Sequence, residues 1–367
     1  MKILYLYSDT GGGHRASAKA LIAAAQEINP SLEQKMVDVF AECSSLLNIF
    51  ARMYGPMIKF SPKLWGTLYY WLNSPSKLKG MEKLARPLIL KSLKKLFQRE
   101  KPDLIISVHP MVNHLTVAAL AELNLSTPFV IVVTDPVTLH GAWVMPRADM
   151  MVVATDPAKK FCLKYGMKPA KVEVLGLPIH PKFSRCKKIS HPKFTVLVMG
   201  GGEGTGGGLI KDLVSLVLAE NLPIKLIVIC GRNQSLEKKL KARRLTTNFP
   251  LKIYGFTDKV EKIMAESDII VTKAGPGSIA EAMALDLPMI INYWLPGQEE
   301  GNVDFVKKNK LGIVATTPEE IVSAIKKLMQ KKEFKEYQER IKKHKKPNAS
   351  YDIMQKIIKK GFLKERV

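Results

Sequence analysis

The sequence contains few cysteines and no long apolar run. Its four cysteines, Cys43, Cys162, Cys186 and Cys230, lie far apart and show no metal-ligand spacing. We therefore expect free thiols in a reducing cytosol rather than disulfides. No apolar run reaches the roughly 18 residues that a membrane-spanning helix requires, and Met1–Tyr7 is too short for a signal peptide. These absences favour a cytoplasmic protein over a secreted or integral membrane protein.

Acidic residues are also scarce. The 367 residues include 57 Lys and Arg against 33 Asp and Glu, which gives a formal net charge of +24. Such a surplus implies an anionic partner, which is a nucleic acid, an anionic membrane or a phosphorylated substrate. The sequence has no recognised nucleic-acid-binding motif, and its aromatic residues are not interleaved with the basic runs as stacking platforms would be. A basic nucleic-acid-binding protein is therefore the weaker alternative, and we expect no nucleic-acid partner.

The alternation of apolar runs with helical patterns predicts two α/β domains. A chain of 367 residues is long for one core and sufficient for two. We place the first domain at residues 1–184 and the second at residues 185–346. The final segment, residues 347–367, has three apolar anchors. They are Ile353, Ile357 and Phe362.

A glycine turn in the second half carries the strongest ligand signal. The strand pattern Asp268–Val271 ends there. Gly275 and Gly277 have no side chains to cover the backbone amides. We expect Ser278 to cap the helix that follows. Such a turn presents N–H groups and a positive helix end to a phosphate or diphosphate. Glu281, one turn into the helix, would repel phosphate. A neutral polyol, such as the two hydroxyls of a ribose, explains this carboxylate better.

The loop after the next strand, Leu287–Ile291, adds short polar side chains suited to sugar hydroxyls. They are Gln298, Glu299 and Asn302. Together with the glycine turn they predict a nucleotide-sugar pocket. The alternative is an ordinary turn between helix and strand, with polar loop residues that bind nothing.

Other strand ends in the second half add candidate contacts. Gly200–Gly208 has seven glycines in nine residues and is the second candidate for a phosphate contact. The strand Ile224–Ile229 ends before Arg232, whose guanidinium suits a diphosphate. Phe256 follows another strand, and its ring either stacks on a base or packs in the core.

The first half also opens with a strand and a glycine turn. Lys2–Tyr7 leads into Ser8–His14, which is not a P-loop because no Gly-Lys-Ser/Thr follows. His14 falls at the carboxyl end of a strand, where open α/β sheets bind ligands, and this position favours a functional over a structural histidine. Asp135 follows the strand Phe129–Val133 in the same manner.

Two segments of the first half are candidates for lipid contact. Glu42–Leu72 is rich in aromatic residues and Met, and it predicts either a helical subdomain or an apolar surface for a lipid. Lys77–Lys101 carries nine basic and two acidic residues, with apolar residues at helical spacing. A basic amphipathic helix is typical of a membrane surface; the alternative is the solvated face of an ordinary helix. The apolar positions are Leu84, Leu88, Leu93, Leu96 and Phe97.

Several motifs, in order along nearly the whole chain, resemble the monogalactosyldiacylglycerol synthase family. This resemblance implies an α/β protein of the GT-B fold, with two Rossmann-like doubly wound domains facing a cleft. GT-B chains commonly end on their first domain, so we expect residues 347–367 to pack back there. The motifs are Ser8-Asp-Thr-Gly-Gly-Gly-His-Arg-Ala-Ser-Ala18, Met199-Gly-Gly-Gly-Glu-Gly204, Val228-Ile-Cys-Gly-Arg-Asn233, Thr272-Lys-Ala-Gly-Pro-Gly277, Ile279-Ala-Glu-Ala282 and Pro296-Gly-Gln-Glu299 with Gly301-Asn302.

The resemblance implies an inverting hexosyltransferase that makes a membrane glycolipid. The donor would be UDP-galactose or UDP-glucose, which differ in the direction of one hydroxyl, and the acceptor would be 1,2-diacylglycerol. His14 matches the family histidine near the reaction centre, and Asp135 is the rival base. The donor-binding residues would be Gly201, Gly202, Glu203, Gly231, Arg232, Asn233, Phe256, Gly275, Pro276, Gly277, Ser278, Glu281, Gln298, Glu299 and Asn302.

The acceptor and the membrane would be held in the first domain. We expect attachment to anionic lipids on the inner face of the cell membrane. An Asp-x-Asp metal motif is absent from the sequence, so we expect no metal, and no cofactor besides the UDP-sugar substrate. The alternative is a GT-B glycosyltransferase with another lipid-linked or soluble acceptor. The acceptor and membrane residues would be Gly12, Gly13, Lys91, Lys94, Lys95 and Trp143.

Overall fold

The computed structural model describes residues 1–9, 12–43, 48–49, 53, 57, 61, 64, 66–67, 70–71, 75–200 and 207–363. Two groups of sequence-predicted residues lie outside the described residues. One is Gly201, Gly202 and Glu203 of the second glycine stretch. The other is most of the aromatic-rich segment between residues 50 and 71.

The chain divides into two compact units. Unit 1 comprises Met1–Pro181, Pro296–Gln298 and Asn348–Val367, and unit 2 comprises Lys182–Leu295 and Glu299–Pro347. The change of unit after Pro181 lies close to the predicted domain boundary at residue 184. The loop residues Pro296–Gln298 belong to unit 1, although the sequence reading places them in the second domain.

Strands alternate with helices in both units. The strands are β1 (Lys2–Tyr7), β2 (Glu33–Asp38), β3 (Leu104–Ser107), β4 (Phe129–Val132), β5 (Met150–Val153), β6 (Val172–Val174), β7 (Phe194–Met199), β8 (Ile224–Ile229), β9 (Leu251–Tyr254), β10 (Ile269–Lys273), β11 (Met289–Tyr293) and β12 (Gly312–Val314). The helices are α1 (Gly13–Ile28), α2 (Val39–Cys43), α3 (Pro75–Glu100), α4 (Asn113–Glu122), α5 (Asp156–Lys164), α6 (Pro181–Arg185), α7 (Gly207–Ala219), α8 (Gln234–Arg244), α9 (Val260–Ala265), α10 (Pro276–Ala284), α11 (Glu300–Lys308), α12 (Pro318–Leu328), α13 (Lys331–His344) and α14 (Ala349–Lys359).

Unit 1 is built on a parallel sheet with the strand order β2-β1-β3-β4-β5-β6. Its inner strands are apolar on both faces, as the four buried residues of β4 illustrate, because helices cover both sides of such a sheet. In the register of the sheet, Leu6 lies opposite Ser107 and Ser107 lies opposite Ile131. The residues that follow β1, β3 and β4 therefore emerge at one edge of the sheet.

Unit 2 repeats this architecture with the strand order β12-β11-β10-β7-β8-β9, again all parallel. The register places Val271 of β10 opposite Val198 of β7 and Ile290 of β11. Gly312 opens β12 where a side chain has no room, because a Cβ there would lie 2.2 Å from the Met289 carbonyl oxygen. Two parallel-sheet α/β units are the organisation that the sequence predicts.

Helix α3 differs from the membrane-facing helix that the sequence suggests. It contains Pro87, and its apolar residues Leu93, Leu96 and Phe97 are buried in the core of unit 1. The expectation that these residues face a lipid surface is therefore wrong. No helix in the described part of the chain is long and apolar enough to cross a membrane.

The basic residues of α3 lie in two different environments. Lys91 and Lys95 are exposed, whereas Lys94 places its Nζ 2.8 Å from a carboxylate oxygen of Glu122. Arg86 binds the other oxygen of Glu122 at 2.9 Å. The outer face of α3 thus combines exposed charge with ion pairs to α4.

Helix α14 completes the core of unit 1. Ile353, Met354 and Ile357 are buried against β1 and α1, the Ser350 hydroxyl donates to the Ile179 carbonyl at 2.6 Å, and Lys356 forms an ion pair with Glu173 at 3.1 Å. The last helix of the chain therefore belongs physically to the unit that begins it.

We predict that Ile357→Ala lowers the free energy of unfolding by about 3 kcal/mol, because the truncation leaves a cavity in a fully buried site. Urea unfolding followed by circular dichroism measures this change. Gln355→Ala, on the exposed face of the same helix, is the matched control and should stay within about 0.5 kcal/mol. Equal stability of the two variants would contradict the packing of α14 in the core.

Candidate active site

A glycine turn positions His14 in unit 1. Ser8 after β1 is buried, and Gly12 takes the left-handed conformation, with φ 81°, immediately before α1. Glycine adopts this conformation without the steric cost that other residues incur. The helix starts at Gly13, so His14 lies in its first turn at the carboxyl end of the sheet. Gly12 and Gly13, predicted to meet the acceptor, are both exposed.

The Nδ1 atom of His14 has two oxygen partners. It lies 2.8 Å from the Val108 carbonyl oxygen and 2.9 Å from the Thr134 hydroxyl. Val108 follows β3 and Thr134 follows β4. The sequence motifs identify His14 but neither partner. The one available signal was that both residues follow strands of the same parallel sheet.

A second histidine packs on His14. The His109 ring is buried, meets the His14 ring edge-on at 4.6 Å between centroids, and lies 5.4 Å from the Phe40 ring. Burial lowers the pKa of His14 to about 4, against the opposite effect of the hydrogen bond with Val108. Burial and the neighbouring His14 lower the pKa of His109 well below its ordinary value. Both rings are therefore neutral at physiological pH, and His14 is able to accept a proton.

Asp135 is joined to Trp143, and both side chains are buried. The indole Nε1 donates to Asp135 Oδ2 at 2.6 Å, and Asn113 Nδ2 donates to the Trp143 carbonyl at 3.2 Å. The Trp143 ring lies 6.1 Å from the His14 ring. The fold thus brings three sequence-predicted residues, His14, Asp135 and Trp143, into one cluster in unit 1.

Helix α10 begins at Pro276, earlier than the sequence reading places it. Its N-cap residue Gly275 is extended and no side chain of the described residues caps the helix, so the prediction that Ser278 is the cap is wrong. Pro276 pre-sets the backbone for the first helical position, and Ser278 falls inside the first turn. The first N–H groups of an α-helix have no carbonyl partner within the helix. The turn therefore presents the positive helix end expected of an anion site.

Glu281 lies one turn into α10 and is half-buried. Burial raises its pKa to about 7, while Lys182 acts in the opposite direction and Glu261 in the same direction. Lys182 is itself paired with Glu261, at 2.8 Å. Glu281 is thus poised to change its charge near neutral pH.

Glu299 and Asn302 tie the loop after β11 to the end of β10. Glu299 is 3% exposed; its Oε1 lies 2.5 Å from Lys273 Nζ and its Oε2 accepts from the Leu295 N–H at 2.9 Å. Asn302 Nδ2 donates to the Ala274 carbonyl at 2.9 Å. These predicted sugar-binding residues hold the glycine turn of unit 2 in place. Gln298 is half-buried and falls in unit 1.

The turn after β8 combines a helix cap with an exposed stack. Gly231 has φ 58°, and Asn233 caps α8 by accepting from the Leu236 N–H at 3.0 Å. The Arg232 guanidinium lies 5.2 Å from the centre of the Phe256 ring, a cation–π geometry. Phe256 is 66% exposed. The stack therefore offers a flat apolar surface with a positive charge beside it.

Sequence comparisons cover both units. The family model described as Monogalactosyldiacylglycerol (MGDG) synthase matches residues 14–179, and that of the Glycosyltransferase family 28 C-terminal domain matches residues 195–357. The chloroplastic monogalactosyldiacylglycerol synthase of Spinacia oleracea is 34% identical, over 96% of this chain and 71% of its own length. Monogalactosyldiacylglycerol synthase 2 of Arabidopsis thaliana, also chloroplastic, is 34% identical over 97% of this chain and 80% of its own.

Solved structures share the fold at low sequence identity. MurG of Acinetobacter baumannii is 15% identical with a TM-score of 0.63, over 98% of this chain and 99% of its own. Anabaena Alr3699/HepE in complex with UDP-glucose is 14% identical with a TM-score of 0.56, over 98% of this chain and 100% of its own. The predicted GT-B fold is confirmed. With relatives that match almost its whole length, the chain belongs to the monogalactosyldiacylglycerol synthase family and is a GT-B glycosyltransferase.

Proposed function

We propose that this enzyme transfers galactose from UDP-galactose to 1,2-diacylglycerol, with inversion at the anomeric carbon. The observation that carries the proposal is the similarity, over nearly the full chain, to proteins named monogalactosyldiacylglycerol synthases. That name favours galactose over glucose, which the sequence motifs left open. The two candidate sites supply the chemistry that such a transfer needs.

The reaction exchanges one bond at the anomeric carbon. The hydroxyl oxygen of diacylglycerol forms a bond to this carbon, and the bond from the carbon to the diphosphate oxygen breaks. UDP leaves with the electron pair, and the hydroxyl proton goes to a base. We assign the base to His14, because a neutral imidazole has one unprotonated nitrogen that can take up a proton. The carboxylate of its rival, Asp135, is bonded to the Trp143 indole.

The donor would be held by unit 2. The first turn of α10 suits the diphosphate of UDP because backbone N–H groups and the helix dipole both favour negative charge. Glu281 suits the ribose hydroxyls, and the Phe256 ring with Arg232 suits stacking on uracil next to the diphosphate. Hydrogen bonds and positive charge of this kind stabilise a departing UDP without a metal.

Membrane attachment would be electrostatic. With Leu93, Leu96 and Phe97 of α3 buried in the core, exposed basic residues such as Lys91 and Lys95 remain on its outer face. Each basic residue near an anionic leaflet contributes about 1 kcal/mol. A peripheral enzyme of this kind would reach an acceptor dissolved in the bilayer.

A transfer assay tests the proposal. Purified protein is incubated with diacylglycerol vesicles and, separately, UDP-galactose, UDP-glucose or UDP-N-acetylglucosamine, and the anomeric proton coupling of each product is read by NMR. We expect a β-galactosyl lipid from UDP-galactose, and strong loss of turnover with little loss of donor binding in His14→Ala. A preferred donor other than UDP-galactose, or transfer only to a soluble acceptor, would overturn the assignment.

We predict that UDP affinity falls about tenfold between pH 8 and pH 6, because protonation of a Glu281 with a pKa of about 7 replaces a charged acceptor for the ribose hydroxyls with a weaker, neutral one. Titration calorimetry at several pH values measures this fall. Glu281→Gln should bind UDP more weakly than the wild type at pH 8 and should lose the pH dependence that Glu281 causes. Protonation of UDP itself affects the wild type and the variant equally. Identical pH profiles for the two proteins would refute the role of Glu281.

We predict that the double substitution Lys91→Glu and Lys95→Glu reduces co-sedimentation with phosphatidylglycerol vesicles at least tenfold, because four units of charge change on one face. The attraction should also weaken with rising salt. Lys238→Glu with Lys239→Glu, at exposed positions of α8, changes the net charge equally and is the control. Equal loss of binding in both double variants would show that only net charge matters and that α3 is no membrane face.

A further inference from the structure

The hydrogen bonds of His14 select one of its two neutral forms. A neutral imidazole carries its proton on Nδ1 or on Nε2, and only the other nitrogen can act as a base. Nδ1 lies 2.8 Å from the Val108 carbonyl oxygen. A carbonyl oxygen can only accept, so Nδ1 must carry the proton. In the form with the proton on Nε2, the lone pair of Nδ1 and a lone pair of the Val108 oxygen would repel each other at this distance.

Thr134 reinforces this selection. Its hydroxyl oxygen lies 2.9 Å from the same Nδ1. The Nδ1–H group therefore donates to two acceptors, the Thr134 hydroxyl and the Val108 carbonyl. Among the described residues, Val108 and Thr134 are the hydrogen-bond partners of His14, and both act at Nδ1. Nε2 keeps its lone pair.

The same two oxygens matter more once the ring is charged. A hydrogen bond from a charged donor is stronger than one from a neutral donor, so Val108 and Thr134 stabilise the imidazolium more than the neutral ring. No carboxylate in the described residues bonds to His14. Among the described residues, the titratable groups of this cluster are the neutral His109 ring, which meets the His14 ring edge-on, and Asp135, which is bonded to Trp143.

We propose that Thr134 is a positioning residue that, with the Val108 carbonyl, holds His14 in the Nδ1–H form and leaves Nε2 to receive the acceptor proton. This inference rests on the proposed role of His14 as the base. The proton moves from the acceptor hydroxyl to Nε2, while the acceptor oxygen uses its electron pair for the new bond to the anomeric carbon. The Thr134 hydroxyl thus orients His14 as a carboxylate orients the catalytic histidine in other enzymes.

The first test needs no substrate. Nitrogen NMR of histidine-labelled protein distinguishes a protonated from an unprotonated ring nitrogen, and the spectrum of His14→Gln identifies the His14 signals among the seven histidines. We expect Nδ1 protonated and Nε2 unprotonated at pH 7. A proton on Nε2 overturns the proposal, whether or not the enzyme proves to use UDP-galactose.

The second test isolates the Thr134 hydroxyl. Thr134→Val keeps the shape of the side chain and removes the oxygen. We expect kcat to fall about tenfold, equivalent to about 1.4 kcal/mol. The KM for the UDP-sugar should be unchanged. Thr134→Ser restores the oxygen and should stay within about threefold of the wild type. The matched control is Thr116→Val, which removes a buried hydroxyl that donates to the Val112 carbonyl at 2.8 Å, and it should leave kcat unchanged.

The outcomes separate a positioning role from a purely structural one. A fall of kcat in Thr134→Ser as large as in Thr134→Val would show that the hydroxyl is not the active feature and would overturn the proposal. Full kcat in Thr134→Val would do the same. If no UDP-sugar supports transfer by the wild type, the proposed function fails, while the NMR spectra of the wild type and Thr134→Val still decide which nitrogen carries the proton.

Discussion

The parallel pairing of β1, β3 and β4 is the constraint on which the site in unit 1 depends. Parallel strands release their following residues at the same edge of the sheet, so His14, Val108 and Thr134 meet although 94 and 120 residues separate the histidine from its partners. The apolar runs that form these strands are buried on both faces, which makes their register firm. The position of one imidazole nitrogen thus follows from the packing of the whole sheet.

In unit 2, the carboxyl ends of β10 and β11 likewise lie at one edge of a parallel sheet. The end of β10 and the loop after β11 are joined by the pair of Lys273 with Glu299 and by the amide of Asn302. The carboxylate of this pair is almost fully buried and the ammonium is about one quarter exposed, at 24%. Because the pair and the Asn302 amide bind residues on either side of the turn, they link the end of β10 to the loop that precedes α11.

Positive charge and apolar side chains lie on different faces of the described part of α3. Among the described side chains of α3, Lys91 and Lys95 are exposed and Lys94 forms an ion pair, whereas Leu93, Leu96 and Phe97 lie in the core of unit 1. An interfacial helix needs both on its surface, whereas the described side chains of α3 expose charge and bury their larger apolar groups. The net charge of +24 therefore acts at long range and is subject to screening by salt.

The sequence by itself determined the two α/β halves, the family, His14 and Asp135 in the segments that follow strands, and Glu281 in the helix after the glycine turn. These follow from local patterns: apolar runs, glycine turns and helical spacing. Only the tertiary structure decided that Leu93, Leu96 and Phe97 face the core, that α10 starts at Pro276 without Ser278 as its cap, and that Val108 and Thr134 hold His14. The periodicity of a helix gives the direction of its apolar face but not what covers that face. Hydrogen bonds between residues a hundred positions apart depend on strand order, which no local pattern encodes.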